Sequence, residues 1–259
     1  MLQTKDLTIR FGGHVAVDHV SCAFAPGTLT AIVGPNGAGK TTYFNLISGQ
    51  LPASEGTVLL EGEDITHLPA PLRTRRGLGR AFQLTQLFPN LTVQENVRLA
   101  IQAREAGRGQ GGPLGGLDVF RVWLDRSAWI DEARAILEQV HLGDKREAHA
   151  SSLPHGDQRK LEVAMLIALD PKVFMFDEPT AGMSVDEVPV ILHLIRALKS
   201  RKDCTILLVE HKMDVVRELS DRIIVLHNGA LVADGEPAKV IASPVVQQAY
   251  LGVVPEEVS

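Results

Sequence analysis

The chain has 259 residues, 45% of them hydrophobic, which is enough for one large core with a smaller appended part. Its formal net charge of -5 argues against a nucleic-acid binder, because contact with a phosphate backbone usually needs a basic face. The N-terminus has no apolar stretch of the signal-peptide type, and no apolar run approaches the roughly 20 residues that span a bilayer, so we expect a soluble chain with at most peripheral membrane contact.

The N-terminal part predicts a β-hairpin, then a strand and a helix. In residues 2–24 apolar residues tend to alternate with polar ones, and Gly12 and Gly13 interrupt the alternation. Residues 28–33 form a short apolar run typical of a buried strand. Residues 43–49 have helical apolar spacing and end at a glycine suited to a helix C-terminus.

A glycine-rich loop joins that strand to that helix. Its first eight residues satisfy the pattern G-x-x-x-x-G-K-[ST] in the strand-to-helix context that the pattern requires. Glycines let successive N–H groups point at phosphates, and the helix N-terminus adds positive potential. Lys40 would bridge the β- and γ-phosphates of ATP, and the Thr41 hydroxyl would ligate Mg²⁺. The predicted nucleotide-binding residues of this loop are Gly34, Pro35, Asn36, Gly37, Ala38, Gly39, Lys40, Thr41 and Thr42.

A small β element and a basic turn come next. Residues 57–60 and those after Gly62 predict short strands, and the two prolines at 69 and 71 predict the start of a helix. The basic cluster of Arg73, Arg75 and Arg76 predicts a solvated turn.

The character of the sequence changes to helical between residues 90 and 152. Residues 93–105 and 129–140 predict helices, and the glycine-rich segment 107–116 separates them. The second helix would carry one apolar face, made of Ala133, Ile136, Leu137 and Val140. We interpret this stretch as a helical subdomain inserted into an α/β core, with a mobile loop inside it.

The C-terminal half alternates helices and strands, which implies a parallel sheet. An Asn228-Gly229 turn is typical of a type I′ hairpin between 223–226 and 231–233. The other predicted strands are residues 173–176 and 205–209, and the predicted helices are 161–169, 188–200 and 213–219.

Two of these strands end in residues that could carry chemistry. Asp177 and Glu178 follow an apolar strand, where Asp177 would hold Mg²⁺ through water and Glu178 would act as general base on the attacking water. Taken alone, the pair could equally be a solvated acidic turn. His211 follows residues 205–209 and could be a capping or packing residue. It could also contact the γ-phosphate and hold the water and Glu178 in line.

These motifs, in this order, resemble the ATP-binding cassette (ABC) family over nearly the whole chain. The resemblance implies an α/β P-loop NTPase fold with a RecA-like parallel-sheet core, an N-terminal antiparallel β subdomain and an inserted helical subdomain. It implies one domain over 1–259, with the core and β subdomain in 1–89 and 159–235, the helical subdomain in 90–158 and a C-terminal extension in 236–259. It also implies that Gln83 touches Mg²⁺ and the attacking water, and that Phe11 stacks on adenine.

The family's signature segment is usually Leu-Ser-Gly-Gly-Gln and reaches the γ-phosphate of ATP bound by a second subunit. The matching segment here departs from it at Pro154, which lacks a hydroxyl and a backbone N–H, and at Asp157, which puts a carboxylate near a polyanion. We therefore expect the dimer to form and its hydrolysis to be slowed. Residues 181–184 resemble the dimer-contact loop. The signature residues are Leu153, Pro154, His155, Gly156, Asp157 and Gln158.

Within the family the chain is most similar to the ATPase subunits of bacterial importers for branched-chain amino acids, with urea importers a related group. The similarity implies two kinds of direct partner: a second cassette, in a homodimer or heterodimer, and transmembrane permease subunits. A solute-binding protein would be an indirect partner, and no nucleic acid is expected. It implies a cytoplasmic location, peripheral on the inner face of the bacterial plasma membrane.

Two other classes share a P-loop. A soluble cassette acting on DNA ends needs long coiled coils, and one acting on the ribosome needs two cassettes in one chain. A small-molecule kinase needs an acceptor pocket and usually an arginine-bearing lid, which Arg73, Arg75 and Arg76 could imitate. The placement of Glu178 and His211 is better suited to activating water than a substrate hydroxyl.

Overall fold

The computed structural model describes residues 1–81, 87–107 and 119–251. They fall into two compact units, each described by itself below. The first comprises Met1–Leu78, Lys172–Glu178 and the chain from Arg196 on, and the second comprises Gly79–Pro171 and Pro179–Ile195. The subdomain boundaries inferred from the sequence, at residues 90 and 158, do not coincide with the limits of these two units. They stay a prediction.

The first unit begins with an antiparallel sheet in the order β2-β1-β4-β5. Phe11 pairs with His14 across the two-glycine turn, so the predicted hairpin is confirmed. The apolar side chains of alternate positions lie in a core shared with the rest of this unit. The strands are β1 (Leu2–Phe11), β2 (His14–Phe24), β4 (Glu55–Leu60) and β5 (Glu63–Asp64).

A second sheet in this unit has the order β10-β9-β3-β8-β7, with β9, β3, β8 and β7 parallel and β10 antiparallel to β9. The predicted parallel sheet and hairpin are confirmed, and both turn residues have positive φ, 48° at Asn228 and 80° at Gly229. Every residue of β3, β7 and β8 is buried. The strands are β3 (Leu29–Val33), β7 (Val173–Asp177), β8 (Thr205–Val209), β9 (Arg222–His227) and β10 (Ala230–Gly235).

Helices of the first unit follow or connect these strands. Helix α1 ends where it was predicted to, at Gly49, which takes a φ of 78°. Helix α6 runs from the second unit into the first. The helices are α1 (Lys40–Ser48), α2 (Ala70–Arg75), α6 (Val188–Lys199), α7 (Met213–Leu219), α8 (Pro237–Ile241) and α9 (Pro244–Leu251).

Arg73 on α2 is buried, with 2% of its surface exposed, so the prediction of a solvated turn was wrong for this residue. The neighbouring Arg75 and Arg76 are exposed, as predicted. Arg73 Nη1 donates to the carbonyls of Leu46 and Ile47, each at 2.7 Å, Nη2 donates to Thr66 O and Nε to Leu68 O. The last carbonyls of a helix have no partner within it, and the guanidinium fork supplies donors for two of them at the end of α1. Burial lowers the pKa of Arg73 to about 10, so it stays charged at neutral pH.

The second unit contains three long helices that pack against one another. The predicted apolar face of α4 is confirmed, because Ala133, Ile136, Leu137 and Val140 are all buried. Residues 108–116 of the glycine-rich segment lie outside the described residues. Helix α5 begins at His155, six residues before the apolar pattern predicts, because its first turns are polar. The elements are β6 (Leu78–Ala81, which starts at the last residue of the first unit), α3 (Val93–Gly107), α4 (Val119–Gln139) and α5 (His155–Leu169).

Arg104 ties these three helices together. From α3 it forms a bidentate pair with Glu132 on α4, at 2.7 and 2.9 Å, and donates to Ala168 O near the end of α5 at 3.2 Å. The hydrogen bond to Glu132 raises the pKa of Arg104.

In the part of the chain that the structure describes, no helix combines the length and apolar character needed to cross a membrane.

Candidate functional site

The glycine-rich loop after β3 is held closely by its surroundings. A Cβ added to Gly34 would collide with the carbonyl of Leu226 on β9. Gly39 takes a φ of 97°, and a Cβ there would lie 2.5 Å from Ala16 O. Glycine is therefore required at both positions, and the loop follows a path against β9 and β2 that side chains would block.

Lys40 is the first residue of α1 and turns back over this loop. Its Nζ donates to Gly34 O at 2.7 Å and to Pro35 O at 2.9 Å, and the residue is only 6% exposed. Burial lowers the pKa of Lys40, and the Glu178 and Asp177 carboxylates oppose that shift. The ammonium is held by neutral carbonyls of the loop, so it can pair with a polyanion bound there.

The acidic pair at the end of β7 divides into one buried and one accessible residue. Asp177 is the last residue of the strand and is 2% exposed. Glu178 has a left-handed φ of 50°, and its N–H donates to Val209 O on β8 at 2.9 Å. The change of backbone direction after Asp177 brings the Glu178 side chain into the cleft beside the loop.

His211 contacts Glu178 directly. Its Nε2 lies 2.8 Å from Glu178 Oε1, a hydrogen bond that the imidazole donates to the carboxylate. The turn that presents His211 is fixed by Glu210, whose carboxylate accepts from the amides of His211 at 3.0 Å and Lys212 at 3.3 Å. The sequence reasoning gave Glu210 no role; its position directly before His211 is the signal that could have suggested one.

Gly39, Lys40, Glu178 and His211 are among the residues that line a cleft of about 280 Å³, called the nucleotide cleft below, whereas Gly34, Pro35 and Asp177 are outside its described lining. Two lining residues, His14 and Ala16, were not predicted. Phe11 is 51% exposed and lies outside the lining that the structure describes, and Gln83 lies outside the described residues. The described lining is His14, Ala16, Asn36, Gly37, Ala38, Gly39, Lys40, Thr41, Thr42, Glu178 and His211.

The oxygen donors at the cleft fit Mg²⁺. Thr41 lines the cleft and offers a hydroxyl. Asp177 offers a carboxylate at the end of β7, directly before the lining residue Glu178, but is itself buried and outside the described lining; both are ligand types that this cation prefers. Among the described residues no group of three or more His, Cys, Asp or Glu side chains could hold a metal.

The signature segment forms the N-terminus of α5. Pro154 is the N-cap residue, and Asp157 in the first turn is 3% exposed. The Asp157 carboxylate is paired with Lys145 and, at 2.9 Å, with Lys160. Burial acts to raise the pKa of Asp157, but the hydrogen bonds from the two lysines outweigh it and lower the pKa. The carboxylate expected to face a phosphate thus points to lysines of its own chain.

Glu187 covers the signature glycine. A Cβ added to Gly156 would collide with the Glu187 carboxylate, which also lies 3.5 Å from Lys160. The backbone N–H and the hydroxyl of Ser184 donate to Glu187, at 3.1 and 3.0 Å, and lower its pKa. The loop that resembles the dimer contact is therefore connected to α5 through Glu187, which accepts from Ser184 and pairs with Lys160, a link that sequence spacing does not reveal.

A model of the family described as ABC transporter matches residues 17–181, well over half of the chain. The chain belongs to this family. It is an ABC ATPase, which binds and hydrolyses ATP to energise transport.

The relatives of this ABC ATPase align along almost its full length. The chain is 38% identical to the high-affinity branched-chain amino acid transport ATP-binding protein LivG of Escherichia coli K12 over 97% of this chain and 98% of LivG. It is equally similar to BraF of Pseudomonas aeruginosa, a protein of the same description, with the same shares covered. A solved nucleotide-free ATP-binding cassette from an ABC transporter has a TM-score of 0.79 and 30% identity, over 98% of this chain and 99% of that one.

Proposed function

We propose that this ABC ATPase energises the uptake of branched-chain amino acids or a related small polar solute. The observation that supports a role in ATP hydrolysis is the nucleotide cleft, where Lys40 and Thr41 of α1 meet Glu178 and His211 from two other stretches of the chain. The choice of solute is supported by the relatives, since LivG and BraF are named for branched-chain amino acid transport.

Lys40 would bind the phosphate chain. Its carbonyl partners in the loop are neutral, so transfer of the ammonium to a β- or γ-phosphate gains a charge-assisted contact. The loop amides and the N-terminus of α1 would add to the attraction.

Glu178 would act as the general base. Its carboxylate lines the cleft and accepts a hydrogen bond from His211, which fixes its orientation. A water between Glu178 and the γ-phosphate would lose its proton to the carboxylate as it attacks. His211, held by Glu210, would keep the base in line and is placed to contact the phosphate.

Thr41 and Asp177, with Gln83 as a third candidate, would hold Mg²⁺. A bound Mg²⁺ neutralises negative charge on the phosphates. Thr41 follows Lys40 directly in α1, so the hydroxyl and the ammonium would act on the same phosphate chain from adjacent positions.

A second cassette would complete the working unit, as a homodimer or a heterodimer. Transmembrane permease subunits would receive the movement of the two cassettes that ATP binding and hydrolysis produce. A solute-binding protein would act indirectly through the permease. This arrangement would keep the ATPase peripheral on the inner face of the bacterial plasma membrane. Val185, which is 87% exposed between Ser184 and Asp186, would offer an apolar contact to a second copy.

The test is the ATPase rate of the purified chain, alone and with its permease subunits in membranes. We expect low activity alone, stimulation by the permease, and a further rise in Pro154→Ser. Glu178→Gln keeps the side-chain shape and removes the base, so its turnover should fall about 10² to 10⁴-fold while ATP still binds. A full rate in isolation, indifferent to the permease and to Pro154→Ser, would show a free-standing ATPase and reject the transport assignment.

A further inference from the structure

Strand β8 ends between the strand that carries the proposed base and the strand that carries the glycine-rich loop. Its neighbours in the sheet are β7 on one side and β3 on the other. Val209, the last residue of β8, is in register with Asp177 of β7 and with Ile32 of β3. The next residue along β8, Glu210, therefore follows this row just as Glu178 does after β7.

The end of β8 holds the backbone on both sides of the contact between Glu178 and His211. The carbonyl of Val209 accepts from the N–H of Glu178 at 2.9 Å. The Oε2 atom of Glu210 accepts from the amides of His211 at 3.0 Å and Lys212 at 3.3 Å. Two adjacent residues thus fix both partners of the 2.8 Å hydrogen bond between His211 Nε2 and Glu178 Oε1.

Burial makes the Glu210 carboxylate a firm anchor for this turn. Glu210 is 3% exposed, whereas the His211 side chain is 40% exposed and is therefore less constrained by packing. A buried carboxylate needs hydrogen-bond donors from the protein, and the two backbone amides supply part of that need. Helix α7 follows with Lys212 as its N-cap residue, which makes no side-chain capping hydrogen bond. The Glu210 carboxylate is thus a side-chain anchor of the turn that leads from β8 to α7.

Hydrogen-bond geometry and negative charge can be separated at Glu210. One oxygen accepts from both amides, so a single well-placed acceptor is enough for these contacts. A glutamine side chain offers an acceptor oxygen at the same reach without the charge. An aspartate keeps the charge but is one methylene shorter, so its carboxylate cannot accept from the same place.

We propose that Glu210 is a positioning residue for ATP hydrolysis, which acts through His211 by holding its imidazole against Glu178. This rests on the proposed roles of Glu178 as general base and His211 as the group that orients it. Glu210 is outside the described lining of the nucleotide cleft. A change at Glu210 should therefore lower turnover and leave ATP binding intact, because a small misplacement of a catalytic group slows the reaction step.

The experiment measures kcat and KM for ATP hydrolysis by the full chain with its permease subunits in membranes. Glu210→Asp should lower kcat about tenfold and leave KM within about twofold of the parent, because the imidazole shifts while the phosphate site is unchanged. Glu210→Gln keeps the acceptor oxygen and should stay within about threefold of the parent in kcat. Asp214→Asn, at an exposed position in the first turn of α7, is the matched control and should leave both constants unchanged.

A His211→Ala background separates positioning from a general weakening of the fold. In that background Glu210→Asp should cause no further loss of kcat, because the imidazole that it positions is gone. A weakened fold would lower the rate in both backgrounds.

The proposal is overturned if Glu210→Asp hydrolyses ATP at the parent's rate, if Glu210→Gln loses as much as Glu210→Asp, or if the loss persists in the His211→Ala background. Failure of the proposed function gives a different result. In that case Glu178→Gln would hydrolyse ATP near the parent's rate, whatever the effect of changes at Glu210.

Discussion

Two helix N-termini in this ABC ATPase have opposite local chemistry. The first turn of α1 consists of Lys40, Thr41 and Thr42, and its ammonium is hydrogen-bonded to neutral carbonyls. The first turn of α5 contains Asp157, and Glu187 lies against it. A helix N-terminus attracts anions in either case. The α1 end keeps its positive potential for a ligand, whereas the α5 end has satisfied part of it with carboxylates of its own chain.

The largest effect should come from removing the cation at α1. Lys40→Met should weaken ATP binding roughly a thousandfold, about 4 kcal/mol, because the phosphates lose a partly buried cation. Calorimetric titration measures it. Lys160→Met at the α5 end is the matched control and should leave ATP affinity of the isolated chain unchanged. Equal losses in both variants would contradict the contrast between the two helices.

The far end of α1 should contribute to stability. Arg73→Leu should lower the free energy of unfolding by about 3 kcal/mol, because the carbonyls of Leu46, Ile47, Thr66 and Leu68 would each lose the hydrogen bond from the guanidinium. Urea denaturation checks this. The exposed Arg75→Leu on the same helix should change the free energy by no more than about 0.5 kcal/mol. A similar loss in both would mean that the hydrogen bonds of Arg73 are not what stabilises the fold.

At α5, Asp157→Asn should cost about 2 kcal/mol at neutral pH, since two lysines lose their charged acceptor. The pKa of Asp157 is lower in the folded chain than its ordinary value of 3.8, so the stabilisation is present above that value and disappears as pH falls through the folded pKa. The difference in unfolding free energy between the variant and its parent should therefore be constant from neutral pH to about 3.8, shrink at lower pH, and vanish only below the folded pKa. Asp144→Asn, at an exposed position, is the control and should change the free energy of unfolding little. If the Asp157→Asn variant stayed less stable than its parent below the folded pKa, the ion-pair account would be contradicted.

The smallest effect should be the coupling between Gly156 and Glu187. Gly156→Ala places a methyl group against the Glu187 carboxylate and should be destabilising, but less so in a Glu187→Ala background. We expect a coupling of about 1 kcal/mol in a double-mutant cycle of unfolding free energies. Additive effects would mean that Glu187 moves away from α5 at little cost.

Local sequence pattern predicted most of the elements. Strand β8, helix α7 and the turn at Asn228 and Gly229 followed from alternation, helical spacing and turn chemistry, which are all short-range signals. The cleft residues Lys40, Thr41, Glu178 and His211 also came from motifs at strand ends, which the fold brings together. Their roles in hydrolysis stay predictions.

Long-range contacts were what the sequence could not supply. Arg73 lies in a basic cluster that looks solvated, and only the end of α1, more than 20 residues earlier, explains its burial. Asp157 is paired with Lys145 from outside the signature segment. His14 lines the cleft because β2 packs on Gly39, a contact between separate segments that no motif encodes.

The backbone at Glu178 has a consequence for how the fold and its chemistry compete. A left-handed φ of 50° is unfavourable for a residue with a Cβ, by roughly 1 kcal/mol relative to glycine. Glu178→Gly should therefore melt at a higher temperature than the parent while losing turnover. In that sense the protein tolerates a small permanent weakness at the position of its proposed general base, and selection for stability alone would remove it.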